Sequence, residues 1–175
     1  MKLLSITSVL VIALILSGCS KKTDEQYLNE AKTSISNNNI NDAVTSYQEL
    51  VKEYPNSPKA PEAIFQLATL YQNKMIKNIP QKESLEKAIS LFRSLFDKYP
   101  QSSLAPKALF MSGFIQANDL KSFNEATASF TLFLQKFPNN ELATSAKEEL
   151  DNMGLTPEEI LQKKKNVKAD VSNLH

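Results

Sequence analysis

The sequence offers few residues that could do chemistry. It has one cysteine, Cys19, and one histidine, His175, at the last position. This removes a Ser-His or Cys-His nucleophile pair and the usual zinc sites built from Cys and His. The carboxylates Glu148–Glu149 and Glu158–Glu159 are sequence neighbours, which on a helix do not face each other across a substrate. There is also no glycine-rich phosphate loop. We therefore predict no catalytic residue, no metal site, no cofactor and no small-molecule substrate.

Cys19 stands directly after an apolar segment near the N-terminus. Lys2 precedes the apolar run from Leu3 to Leu16, which is shorter than the roughly 20 residues needed to span a bilayer. Its length is typical of a secretory signal segment. The residues that follow the pattern of leucine, two small residues and cysteine are Leu16, Ser17, Gly18 and Cys19. This pattern resembles the lipobox of bacterial lipoproteins.

The resemblance implies a role for the Cys19 thiol as a point of attachment. In lipoproteins the thiol is alkylated to a diacylglycerol thioether, the chain is cleaved before the cysteine, and the new amino group receives an acyl chain. Residues 1–18 would be the signal peptide and residues 19–23 a lipidated tether, which anchors the protein to a membrane. The alternative is an uncleaved core helix that buries Cys19. No second apolar stretch is long enough to span a bilayer.

Composition limits the remaining chain to one helical domain. The full sequence has 175 residues, with 20 basic and 19 acidic side chains. Because nucleic-acid binding needs a basic excess to neutralise phosphates, we expect no nucleic-acid partner. Good helix formers dominate many windows of the sequence. These features predict a single all-α domain.

Three stretches of this domain share one spacing. In each, an alanine, an aromatic residue, an apolar residue and a proline stand at i, i+4, i+7 and i+12. The first three positions lie on one face of an α-helix, and the proline ends that helix because it lacks an N–H. The three sets are Ala43, Tyr47, Leu50 and Pro55; Ala88, Phe92, Leu95 and Pro100; and Ala126, Phe130, Phe133 and Pro138.

This spacing resembles the tetratricopeptide repeat, a helix-turn-helix unit of about 34 residues. The family also has a small residue in its first helix, which matches Ala31, Ala68 and Gly113. The resemblance implies an all-α, right-handed α-solenoid over residues 24–154. About three helix pairs, at 24–37 with 40–53, 61–77 with 83–98, and 106–118 with 122–136, would be followed by a capping helix at 141–152.

Two further details follow from the spacing. The second pair carries about eight extra residues between its helices, relative to the family unit, and the third pair carries one. Beyond the repeats, Thr156, Pro157 and Glu159 form the pattern of a capping box. We therefore expect a short helix and then a flexible tail within residues 155–175.

In the tetratricopeptide family, the first helix of each pair lines a groove for peptides or protein segments. The resemblance carries six positions over to this chain, and these are Lys32, Ser36, Thr69, Asn73, Phe114 and Asn118. They do not reproduce the lysine and asparagine clamp with which some family members hold a terminal carboxylate. The alternative is that they are ordinary exposed helix surface.

Taken together, the lipobox and the repeats are similar to BamD-like outer-membrane assembly lipoproteins. They are also similar to the repeat domain of periplasmic proteins that coordinate envelope constriction. The first resemblance implies a non-enzymatic scaffold, anchored to the outer membrane and facing the periplasm, that binds envelope proteins or peptide segments. The alternative is an accessory subunit of a peptidoglycan or cell-division complex. Ser20 follows the cysteine, in place of the aspartate that retains some lipoproteins in the inner membrane.

Overall fold

The structure, a computed structural model, describes residues 21–172, which form helices and turns without a strand in that range. The all-α prediction is therefore confirmed, whereas the right-handed superhelix stays a prediction. Each of the first six helices packs against the next one along the chain. The helices are α1 (Asp24–Ser36), α2 (Ile40–Glu53), α3 (Ala60–Gln72), α4 (Gln81–Lys98), α5 (Ala105–Phe114), α6 (Phe123–Lys136), α7 (Ala143–Asn152) and α8 (Pro157–Ser172).

The second helix of each pair carries the core that the repeat spacing predicts. Every alanine, aromatic and apolar residue of the three sets on α2, α4 and α6 is no more than 1% exposed. Burial raises the pKa of the Tyr47 hydroxyl to about 12. The first helices contribute small residues to the same core, and two of these, Ala31 and Ala68, are fully buried. The core positions are therefore confirmed.

We call the first helix of each pair its A helix and the second its B helix. Three turns connect a B helix to the next helix along the chain, at residues 54–60, 99–105 and 137–143, and we call them the B–A turns. All three have the same backbone bonds, such as Ser57 N to Tyr54 O and Ala60 N to Ser57 O in the first turn. Their polar side chains also match: Ser57, Ser102 and Asn140 each accept a hydrogen bond from the amide two residues on. The proline that follows the aromatic residue thus belongs to a recurring, internally bonded turn.

The extra residues between helices are accommodated in two different ways. α3 ends at Gln72, earlier than predicted, because Lys74 and Asn78 adopt positive φ values of 56° and 62°. Ile76 and Ile79 of this loop still pack against the core. The single extra residue of the third pair is absorbed by a π-helical turn, Ile115–Asp119, that continues α5.

The C-terminal helix α8 begins at the predicted capping box. Thr156 N donates to Glu159 Oε2 at 2.7 Å, and Glu159 N donates back to Thr156 Oγ1 at 3.3 Å. This carboxylate has a lowered pKa because it accepts the Thr156 amide hydrogen. The helix continues to Ser172 and is longer than the short helix expected from the sequence. Within residues 21–172, no helix has both the length and the apolar character to span a membrane.

Candidate protein-binding surface

The first helices of successive pairs, together with α7, meet through their side chains and form what we call the A-helix surface. Its members lie on α1, α3, α5 with its π-helical turn, and α7. Between α1 and α3, Lys32 Nζ lies 2.8 Å from Glu62 Oε1. These side chains remain 51% and 38% exposed, so the pair contributes at most about 1 kcal/mol to folding. Both charges are therefore available to an incoming partner at little cost in stability.

An aromatic centre lies where α3 meets α5. Lys107 Nζ of α5 is 5.4 Å from the centroid of the Phe65 ring of α3. A cation at this distance is attracted by the electron-rich face of the ring. The Phe65 ring also meets Phe92 of α4 edge-on, with centroids 5.2 Å apart. Because Phe65 is half-buried and Lys107 is exposed, this centre offers both an apolar surface and a charge.

The π-helical turn extends the surface from α5 to α7. Asn118 lies in this turn, and its Nδ2 donates to Glu149 Oε2 of α7 at 3.1 Å. On the preceding helical turn, Phe114 stacks on Phe110 with centroids 6.3 Å apart. The wider π turn accommodates the extra residue between α5 and α6, and Asn118 within it reaches α7.

The six predicted groove residues lie on this surface but do not form one cluster. They form three separate pairs, one on α1, one at the end of α3, and one on α5 and its π-helical turn. Ser36 Oγ donates to the Lys32 carbonyl, and the Asn73 amide donates to the Thr69 carbonyl. The Thr69 hydroxyl donates to Phe65 O of its own helix. Lys32 and Asn118 instead reach across to Glu62 and Glu149, which the sequence reasoning missed.

Phe65 and Lys107 were missed as well. The position six residues before Ala31, Ala68 and Gly113 carries Glu25, Glu62 and Lys107 in successive repeats. This mixture of charges does not predict which side chains meet between the helices, so the sequence contains no clear signal for these contacts.

Two of the open clefts lie at the ends of the helices. One, of about 500 Å³, lies between the first two B–A turns and is lined by residues such as Pro58, Tyr99 and Gln101. The other, of about 460 Å³, lies at the opposite ends of the helices beside Asn41 and Met75. Across residues 21–172, no group of three or more His, Cys, Asp or Glu side chains could hold a metal ion.

The N-terminal segment is bound to the first helix pair by a set of contacts that we call the N-terminal clamp. Lys21 forms an ion pair with Glu53, and the Tyr54 hydroxyl donates to the Lys22 carbonyl at 2.7 Å. Lys22 Nζ also lies 2.8 Å from Glu30. The hydrogen bond from Lys21 lowers the pKa of Glu53 and, reciprocally, raises the pKa of Lys21.

Asp24, at the start of α1, joins this clamp to the first B–A turn. Ser57 Oγ donates to Asp24 Oδ2 at 2.5 Å, and this bond is the main reason that the pKa of Asp24 is lowered. Lys59 of the same turn forms ion pairs with Asp24 and Glu25. The proposed lipid site Cys19 and the lipobox residues Leu16, Ser17 and Gly18 lie outside the described residues.

One comparison with known proteins identifies the family. The family model described as YfiO, outer membrane lipoprotein, matches residues 20–156. A search among curated proteins gave no match. The matched range begins directly after Cys19 and includes α1 to α7 and every residue of the A-helix surface described above. The chain therefore belongs to the YfiO family of outer membrane lipoproteins.

Proposed function

We propose that this protein is a lipid-anchored, non-enzymatic scaffold of the outer membrane that faces the periplasm and binds other envelope proteins. The observation that carries the proposal is the family match, because it covers nearly all of the described helices. The matched part of the chain is a helical repeat, and helical repeats act by offering an extended surface to a binding partner. We further propose that the bound proteins belong to outer-membrane protein assembly.

Partner binding is assigned to the A-helix surface. Its half-buried Phe65 and Phe114 supply apolar contact area, while Lys32, Glu62 and Lys107 supply charges that a partner segment can pair with. Buried aromatic side chains are enriched at protein interfaces, and complementary charges around them orient the partner. Because the helices hold these groups at fixed spacing, a partner segment would lose little free energy to ordering of the scaffold.

The chemistry of the chain supports binding rather than catalysis. The described surface carries hydrogen-bonded and ion-paired side chains with no nucleophile and base in catalytic contact. Measurable hydrolysis of envelope substrates by the purified protein would contradict this part of the proposal.

The proposed anchor is tested by removing the Cys19 thiol. We expect Cys19→Ala to move the protein from the membrane fraction to the soluble periplasmic fraction, because the acyl chains are its proposed tether. The matched control is Ser20→Ala, which leaves the thiol in place and should stay in the membrane fraction. A Cys19→Ala protein that still fractionates with the outer membrane would contradict the anchor.

The second candidate function is coordination of a peptidoglycan or cell-division complex, which the repeat resemblance also favours. The two candidates differ in their partners, so crosslinking in whole cells followed by identification of the captured proteins separates them. Capture of β-barrel assembly components supports the first function. Capture of cell-wall synthases supports the second function and contradicts the first.

A further inference from the structure

We propose that the three B–A turns form the membrane-facing edge of the protein and lie on the lipid headgroups. The inference rests on the proposed lipid anchor at Cys19 and adds an orientation to it. The opposite edge, which contains the turns at 37–39, 73–80 and 120–122, would then point away from the bilayer into the periplasm.

The first step of the argument is that the chain beside the anchor is not free. Lys21 and Lys22 are held by Glu53, the last residue of α2, and by Tyr54, the first residue of a B–A turn. Lys21 Nζ also lies 5.5 Å from the centroid of the Tyr54 ring. These three contacts place the N-terminal segment at one edge of the helical repeat, next to the first B–A turn.

The second step is the length of chain between this clamp and the proposed anchor. Only Ser20 stands between Cys19 and Lys21, and two residue steps extend at most about 7 Å. A five-residue tether, the length that the sequence suggests for residues 19–23, would reach about 18 Å. With the clamp closed, these two residue steps limit how far the acyl chains can lie from Lys21, so we place the bilayer surface at the same edge.

The third step extends this edge from the first turn to the others. The Tyr99 hydroxyl of the second turn donates to the Pro55 carbonyl of the first turn at 2.7 Å. The third turn has Phe137 at the equivalent position, and its ring meets Phe96 edge-on with centroids 6.0 Å apart. The first two turns are therefore joined directly, and the third packs on the end of α4 beside the second turn, so a membrane that contacts the first turn is close to the other two.

The opposite edge is separated from this one by the length of a helix. α2 has 14 residues, which corresponds to about 20 Å at the usual rise of an α-helix. This distance is large compared with the reach of the short linker. A position at 37–39 or 73–80 is therefore far from the headgroups in the proposed orientation.

Charge does not determine the orientation. Exposed lysines at the ends of α4 and α6, Lys98 and Lys136, are balanced on the same edge by the exposed carboxylates of Asp97 and Glu141. Anionic headgroups attract a basic cluster but gain little from a balanced one. The orientation should therefore be the same on neutral vesicles and on vesicles that contain anionic lipid.

The experiment uses the lipidated, full-length mature protein in phospholipid vesicles that carry a nitroxide on the headgroup. Because Cys19 is the one cysteine of the chain and its thiol is consumed by the lipid, an introduced cysteine is the single labelling site. Fluorophores are placed at exposed turn positions by Asn56→Cys, Gln101→Cys or Asn139→Cys. The opposite edge is probed by Asn37→Cys, Lys77→Cys or Asn124→Cys.

We expect strong quenching at the three turn positions and weak quenching at the three opposite positions, on neutral and anionic vesicles alike. Equal quenching at both edges, or stronger quenching at the opposite edge, would overturn the orientation. Orientation that appears only with anionic lipid would overturn the role of the clamp. A protein that does not bind vesicles at all would instead contradict the anchor, so the two failures are distinguishable.

A matched pair of double variants tests the clamp itself. Glu53→Gln with Tyr54→Phe removes the ion pair and the hydroxyl that hold Lys21 and Lys22. Asp97→Asn with Tyr99→Phe likewise removes one carboxylate charge and one tyrosine hydroxyl, one repeat later, and leaves the clamp intact. The first variant should lose the difference in quenching between the edges, and the second should keep it. Retention of the full difference by the first variant would contradict the clamp.

Discussion

At the scale of single residues, the repeat depends on small side chains that admit large ones. Gly113 is the clearest case, because a Cβ atom at this position would lie 3.1–3.2 Å from three atoms of the Phe130 ring. Phe130 is fully buried and contacts Phe110 edge-on, so its ring has little room to shift. The glycine is therefore required by close approach of α5 and α6 rather than by backbone conformation.

Gly113→Val is predicted to lower the free energy of unfolding by about 1–3 kcal/mol, since extra methyl groups overpack a filled core. Chemical denaturation of the repeat domain, residues 24–154, measures this loss. The control is Ser36→Val, which places the same side chain at an exposed position of α1 and should cost less than about 1 kcal/mol. A Gly113→Val protein as stable as the parent would contradict the packing of Phe130 against α5.

The N-terminal clamp is predicted to open in acid. The pKa of Glu53 is lowered from 4.5, mainly by its bond to Lys21, and that of Asp24 is lowered from 3.8, mainly by Ser57. A carboxylate with a lowered pKa stabilises the folded contact above its unfolded pKa and loses that stabilisation as the pH falls through the lowered value. The clamp should therefore stay closed above pH 4.5 and open progressively below it.

Amide chemical shifts of Lys22 and Tyr54, followed by NMR from neutral pH into acid, measure this opening. The Ala126 amide, in the core of α6, serves as the internal control and should not follow the same transition. Glu53→Gln should remove the part of the transition that belongs to the Lys21 ion pair. A midpoint above 4.5 would contradict the assignment to Glu53.

At the scale of elements, the B–A turns carry the repeat from one pair of helices to the next. The Tyr99 hydroxyl joins two of these turns through the Pro55 carbonyl. Tyr99→Phe should lower the free energy of unfolding by about 1 kcal/mol, the usual net contribution of one hydrogen bond. Thermal or chemical denaturation checks this value. Phe137→Leu, a change at the equivalent position that removes no hydroxyl, controls for ring packing alone.

Equal stability of the parent and the Tyr99→Phe protein would mean that the turns are joined by packing only. The third turn already relies on packing, because Phe137 has no hydroxyl and instead contacts Phe96 and Phe133. The hydroxyl contact is thus a feature of the first two turns. Both of these turns lie closer along the chain to the proposed anchor than the third turn does.

The elements also show what repeat spacing can and cannot predict. Helix starts and ends were predicted within a few residues wherever a proline turn or a capping box marks them, as at Pro100 and Thr156. The end of α3 was placed too late, because loop residues 73–80 contain isoleucines that continue the apolar pattern while Lys74 and Asn78 leave helical geometry. Local periodicity cannot distinguish apolar residues of a helix from those of a loop packed on the core.

The candidate site was predicted less completely than the fold. Family positions located Lys32 and Asn118, but their partners Glu62 and Glu149 lie on other helices and many residues away. Such contacts depend on the angle between helices, which the spacing within each helix does not determine. The contacts of Lys21 and Lys22 also join distant positions, so the sequence suggested a free tether where the structure has a clamp.

At the scale of the whole molecule, anchoring and binding are assigned to different sides of one helical repeat. The B–A turns and the N-terminal clamp define one edge, and the A-helix surface runs across the first helices between the two edges. This arrangement would hold a bound envelope protein beside the membrane without covering the anchor. In this arrangement, partners bind through the A-helix surface and not through the second helices.

Position-specific photo-crosslinking in cells distinguishes binding through the A-helix surface from binding through the second helices. A photoreactive residue replaces Thr69 on the A-helix surface of α3 or, as the control, the exposed Ser90 on α4. Both proteins should fold and reach the membrane to the same extent, which fractionation verifies. We predict crosslinks to envelope proteins from position 69 and far fewer from position 90. Crosslinks of equal strength from both positions, or crosslinks from position 90 alone, would contradict partner binding through the A-helix surface.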